Sequence, residues 1–113
     1  MKPMLRVFFL DDEGEKVFGE GPYRLLKSIE SAGSLRAATM DMNMAYTKAL
    51  RILKRAEAAF GFALTERAIG GRDGGGSRLT QEGKELLEKY EVYRRRCDAA
   101  CRSIWQEVFS ELQ

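Results

Sequence analysis

Between Pro22 and Leu112 the apolar positions recur mostly at helical spacing, with short alternating stretches set between them. Met4 to Leu10 alternates, with Leu5, Val7 and Phe9 on one side, and predicts a strand. Asp11-Asp12-Glu13-Gly14-Glu15 reads as a turn and Lys16-Val17-Phe18 as the returning strand, an N-terminal hairpin over 4–18. Gly19, Gly21 and Pro22 stop that strand, and proline suits the first turn of a helix. Leu25, Leu26 and Ile29 line one face of this first helix, and Gly33 closes it. Ser34 has the chemistry to cap a second helix, Leu35 to about Met40. After a break around Asn43, a third runs from Ala45 to Phe60 with Ala49, Leu53, Ala56 and Phe60 on its inner face, and Gly61 ends it. A short helix, a tight turn and a longer helix make a helix-turn-helix over 34–60.

The stretch from Phe62 to Thr80 breaks the helical pattern. Five of the chain's 11 glycines lie between Gly70 and Gly76, among Arg67, Arg72 and Arg78. The apolar run Phe62-Ala63-Leu64 leads in and Leu79-Thr80 leads out, so two short strands joined by a glycine-rich, arginine-bearing hairpin are expected: a wing over 62–80. A surface loop with no ligand is the plainer alternative. A Walker-type loop is excluded because Gly76 stands where its lysine belongs, and the dinucleotide pattern fails at Leu79.

From Gln81 to Leu112 one long helix is expected. Leu86, Tyr90, Tyr93, Cys97, Ala100 and Ile104 recur at alternating spacings of four and three, the mark of a coiled-coil seam. So long an apolar face exceeds what a small body can cover, and a second subunit is its simplest cover; a helix folded back on its own domain is the alternative. The chain divides on this reading into a winged helix-turn-helix, 1–80, and a dimerisation helix, 81–113. The fold class is mainly α with small β.

Charge sharpens the picture. The net charge is +2, but residues 34–80 carry eight basic and four acidic groups, while each flanking segment is net −1. The excess sits on the third helix and the wing. Tyr46, Thr47, Lys48, Arg51, Lys54 and Arg55 occupy the free face of that helix, and the first four lie in its first two turns. Lysine and arginine read guanine edges or hold phosphates, and threonine hydrogen-bonds or meets a thymine methyl. Double-stranded DNA is the expected partner, with Arg67, Arg72 and Arg78 on its phosphates.

Other chemistries find little support. There is no histidine, and Cys97 and Cys101 sit four apart in a helical pattern, which fits packing better than a disulfide framework or zinc site. A redox switch at these thiols is the sharper alternative. Met40, Met42 and Met44 suggest a soft-metal site, but the last two are expected as core plugs. No metal, cofactor or nucleophile–base pair is expected, hence no enzyme. No 18-residue apolar run or signal peptide is read, so no membrane partner is expected and the cytoplasm fits best.

Glu66-Arg67-Ala68, followed by Gly70-Gly71, Gly74-Gly75-Gly76 and Leu79-Thr80, resembles the wing of the N-terminal DNA-binding domain of ModE-type, molybdate-responsive transcription regulators. That domain is related to the LysR-type winged helix. Gly33-Ser34-Leu35 and Tyr46 are similar too, and the resemblance covers nearly the whole chain. It implies a homodimer that grips a palindromic operator through the third helix and the wing, with Leu86, Tyr90, Tyr93, Cys97 and Ile104 expected at the dimer interface. The family's full-length members carry a C-terminal molybdate-binding module; here the sequence stops at Gln113, and no molybdate site is expected in this chain. Asn43 replaces the usual turn glycine, and Ala45 stands near the usual capping serine. The alternative function is a winged-helix interaction module that does not bind DNA.

Overall fold

The computed structural model describes residues 1–69 and 76–112. Arg72 and the glycine-rich stretch from Gly70 to Gly75 lie outside the described residues. The chain forms β1 (Phe9–Leu10), β2 (Lys16–Phe18), α1 (Glu20–Ala32), α2 (Leu35–Asp41), α3 (Tyr46–Phe60), β3 (Thr65–Ala68), β4 (Gly76–Leu79) and α4 (Gln81–Val108), then a short 3-10 turn, Ser110–Leu112. The two strand pairs are separate antiparallel ribbons. The order helix-turn-helix, ribbon, long helix is that of a winged helix-turn-helix with an N-terminal hairpin. No described helix is long and apolar enough to cross a membrane.

Local chemistry sets the helix boundaries. Gly33 closes α1 in the left-handed region (φ 83°), where a side chain would be strained, and its N–H donates to the Ile29 carbonyl at 2.9 Å. Ser34 turns the chain at once into α2, its hydroxyl accepting from Ala37 N at 3.0 Å. Asn43 takes a positive φ of 52° in the turn between α2 and α3, a conformation asparagine tolerates better than most residues. Met42 and Met44 pack against the core on either side of it, whereas Met40 is 76% exposed. Ala45 begins α3 with no side-chain cap.

Phe18, Leu25, Leu26, Ile29, Ala38, Ala49 and Leu64 are fully buried where β2, α1, α2, α3 and the base of the second ribbon meet. Burial of each leucine or isoleucine contributes about 1.5–3 kcal/mol. The core does not stop at residue 80. Gly83, Leu86, Leu87 and Tyr90 of α4 are buried in it, and the Tyr90 ring lies edge-on to Phe18, with ring centres 5.1 Å apart. Leu86 and Tyr90 therefore do not belong to a free seam: the body itself takes up the first part of the α4 stripe. Tyr93 and Ile104 are 53% and 57% exposed, and Cys97 is half-buried.

Three elements are shorter than the hydrophobic pattern predicts. Only Phe9 and Leu10 of the alternating stretch Met4–Leu10 are paired, because β2 has three residues and ends at Phe18; Leu5 is exposed. The second ribbon's lead-in, Phe62 to Leu64, precedes β3 rather than forming it. Finally, α4 ends at Val108, not Leu112, and the rings of Trp105 and Phe109 pack 4.7 Å apart at that turn.

Candidate nucleic-acid interface

The inner face of α3 is fixed by Ala49, Leu53 and Ala56, all buried. A helix anchored on that side must present the opposite side to solvent, and there Tyr46, Thr47, Lys48, Arg51, Lys54 and Arg55 are all exposed. Thr47, Arg51, Lys54 and Arg55 share one shallow surface with Leu50. Among the described residues, Lys48, Arg51, Lys54 and Arg55 form no ion pair with a carboxylate. The one acid within α3, Glu57, is committed elsewhere: its carboxylate accepts from Leu64 N at 2.8 Å and so docks the second ribbon on the C-terminal part of the helix.

The ribbon is held at its base and along one edge. Thr80 N donates to the Leu64 carbonyl at 3.0 Å, and Ser77 N donates to the Gly33 carbonyl at 2.9 Å, tying β4 to the end of α1. Its register pairs Glu66 with Arg78 and Arg67 with Ser77. Since residues directly opposite share a face and neighbours alternate, Arg67 and Arg78 lie on opposite faces of the ribbon. One flat surface therefore cannot take both from these strands. Arg78 is also engaged already, its Nε 2.9 Å from a Glu66 carboxylate oxygen, although both side chains remain largely open to solvent.

Arg36 was not marked by the sequence pattern. Its guanidinium lies over the Tyr46 ring, 5.5 Å from the centre, joining the second residue of α2 to the first of α3. A cation–π contact of this kind holds an exposed ring in place; an isolated arginine in a seven-residue helix gives no periodic signal of it. The assembled surface is thus an arginine–tyrosine pair at the start of α3, a hydroxyl and four unpaired cations along it, and a ribbon beyond. Such groups donate to phosphate oxygens and, at a helix of 10–12 Å diameter, reach base edges.

No protein-family model matches the chain. It is 35% identical over 72 residues to the transcriptional regulator ModE of Haemophilus influenzae, covering 64% of this chain and 28% of that protein. It is 34% identical over 80 residues to the DNA-binding transcriptional dual regulator ModE of Escherichia coli K12, covering 69% and 30%. Against the molybdenum-pterin-binding protein MopA of Rhodobacter capsulatus it is 29% identical over 86 residues, covering 76% and 32%. The chain thus spans less than a third of the length of these relatives. These partial matches support a relationship to ModE-like regulators.

Proposed function

We propose that this chain is the DNA-binding part of a cytoplasmic transcription regulator that acts as a homodimer on a palindromic operator. The observation that carries the reading is the α3 face: Thr47 beside Lys48, Arg51, Lys54 and Arg55, exposed and without carboxylate partners among the described residues. A helix of this diameter enters a major groove about 12 Å wide, and cations not already neutralised displace counterions from a duplex most effectively. Tyr46, Thr47, Lys48 and Arg51 then meet base edges, with Lys54 and Arg55 on the flanking phosphates. Arg67 and Arg78, on opposite faces of the ribbon, add backbone contacts where the ribbon enters a groove between two strands, and Arg72, outside the described residues, adds another. The similarity to the ModE transcription regulators of Haemophilus influenzae and Escherichia coli supports the same reading.

The second half of α4 supports the dimer. Beyond Tyr90 it leaves Val92, Tyr93, Ile104 and Val108 exposed, an apolar strip on a helix about 42 Å long. In this reading Tyr93, Cys97 and Ile104 meet their counterparts, while Leu86 and Tyr90 shape the interface only from beneath.

Titration against duplexes selected from genomic fragments and against random duplexes tests the proposal. Thr47→Ala and Arg51→Ala should lower preference for the selected site by about 1–3 kcal/mol, whereas Lys54→Ala should weaken both similarly. Binding that is absent or insensitive to salt overturns the reading.

A further inference from the structure

The stripe Lys48–Arg51–Arg55 on α3 faces a groove of about 260 Å³ whose opposite wall is the N-terminal hairpin. Lys16 of β2 stands on that wall, and the half-buried Met44 and Ile52 contribute apolar surface to the groove. Four cations and no carboxylate line it. Lys16 itself is exposed, its ammonium 5.3 Å from the centre of the Phe8 ring. Of the acids nearby in sequence, Asp12, Glu13 and Glu15 are exposed and do not line the groove, and two others are engaged elsewhere. Glu20 binds Arg24 and Arg94, and the Asp11 carboxylate accepts from the N–H groups of Glu13 and Glu15 within its own turn.

Four like charges around one small concavity repel one another until an anion enters. We infer that this groove seats a backbone phosphate of bound duplex DNA, and that Lys16 is a DNA contact contributed by the N-terminal hairpin. The inference rests on the proposed function and enlarges its surface: the duplex is held by the ribbon on one side of α3 and by the first hairpin on the other. A phosphate suits the seat because the Lys16 ammonium on one wall and the Arg55 guanidinium on the other can share its oxygens, leaving Lys48 and Arg51 to the base edges, while the apolar wall offers no competing acceptor. A phosphate contact positions the duplex and carries no base information, so Lys16 should act alike on every sequence.

The salt dependence of binding tests this with the whole chain, on a selected and on a random duplex. Each phosphate contact contributes about 0.9 to the slope of log affinity against log salt. Lys16→Gln should lower the slope by about that amount on both duplexes, and Lys16→Arg should retain it. Lys2→Gln serves as a control at the far end of the N-terminal segment, near Arg102 and Trp105, and should leave the slope unchanged. Melting temperatures should match throughout, since Lys16 is exposed. A Lys16→Gln slope equal to wild type, or an equal loss with Lys2→Gln, overturns the inference while leaving the α3 reading intact. A wild type that does not bind DNA overturns both.

Discussion

The phenol of Tyr90 donates to the carbonyl oxygen of Val7 at 2.7 Å, joining α4 to the N-terminal segment across 83 positions of sequence. The ring itself is 1% exposed, wedged against Phe9, Phe18 and Tyr23. One side chain thereby sets both where α4 leaves the body and where the N-terminal segment meets it.

Tyr90→Phe should keep the packing and lose the hydrogen bond, at a cost of about 0.5–1.5 kcal/mol; Tyr90→Ala should cost about 3–5 kcal/mol. The variants also separate a pH effect. Burial, reinforced by Glu20, raises the Tyr90 pKa above the usual tyrosine value, and burial with the Glu91 hydrogen bond raises that of Tyr23. A raised tyrosine pKa means that the folded state holds its proton longer than the unfolded one. The associated stability is present below about pH 10 and is lost as pH rises through the unfolded and then the folded value. Urea unfolding between about pH 8 and 11 should therefore show a shallower alkaline decline in Tyr90→Phe than in wild type. Equal declines would remove Tyr90 from this account.

Gly83 sits in the first turn of α4 where a side chain has no room. A Cβ there would overlap the Leu64 carbonyl oxygen and stand 3.2 Å from the Thr80 hydroxyl that caps the helix. On an open helix, Gly→Ala stabilises by about 1 kcal/mol. Here the sign should reverse: Gly83→Ala should destabilise by about 1–3 kcal/mol, since the obstructing atom is backbone. It should also disturb the base of the second ribbon, where the same Leu64 carbonyl accepts from Thr80 N. Denaturation midpoints decide the sign.

The four helices were legible because their ends carry local chemistry: Gly33 and Ser34 between α1 and α2, Asn43 before α3, Gly61 after it, Thr80 before α4. What covers an apolar stripe was not. The seam Leu86–Tyr90–Tyr93–Cys97–Ile104 has one period throughout, yet its first two members are consumed by Phe18 and the rest of the core. Periodicity reports that a face is buried, not by which partner. The alternation from Met4 to Leu10 similarly promised a strand, but a strand needs an equally long neighbour. On the candidate interface, the exposed face of α3 followed directly from Ala49, Leu53 and Ala56. The Glu66–Arg78 pair did not, because it depends on a register set between residues 12 apart. Neither did Arg36 over Tyr46, which depends on how α2 and α3 cross.

That Glu66–Arg78 pair leads to a prediction on binding. In the proposed complex Arg78 must leave or share Glu66 to meet a phosphate. An exposed pair of this kind is worth up to about 1 kcal/mol. Glu66→Gln should therefore tighten binding to selected and random duplexes alike, by up to about five-fold. Arg78→Ala should weaken both and flatten the salt slope by about one contact, and adding Glu66→Gln to it should recover little. Fluorescence titration across a salt series measures all three. A Glu66→Gln variant that binds no better would indicate that Arg78 is a ribbon brace and not a phosphate contact.

Dimerisation, as proposed, rests on the outer half of α4, and the structure narrows the residues that test it. Leu86 and Tyr90 are poor choices, since their truncation opens the core. Tyr93 and Ile104 are more than half exposed, so the body keeps its own packing without them; Tyr93 gives up only an edge contact with Phe9, ring centres 5.8 Å apart. Large side chains central to an interface commonly contribute about 2 kcal/mol or more each. Tyr93→Ala with Ile104→Ala should therefore raise the dimer dissociation constant by about a thousand-fold and yield folded monomers at micromolar protein. Two α3 helices must be held about 34 Å apart to enter successive major grooves on one side of a duplex. The double variant should accordingly bind a half-site weakly and lose its preference for a palindrome, while its melting temperature at low protein concentration stays near that of wild type. Sedimentation beside thermal melting reads both consequences. A wild type that is monomeric at every concentration, or a double variant that remains dimeric with palindrome preference intact, would remove this face of α4 from the mechanism.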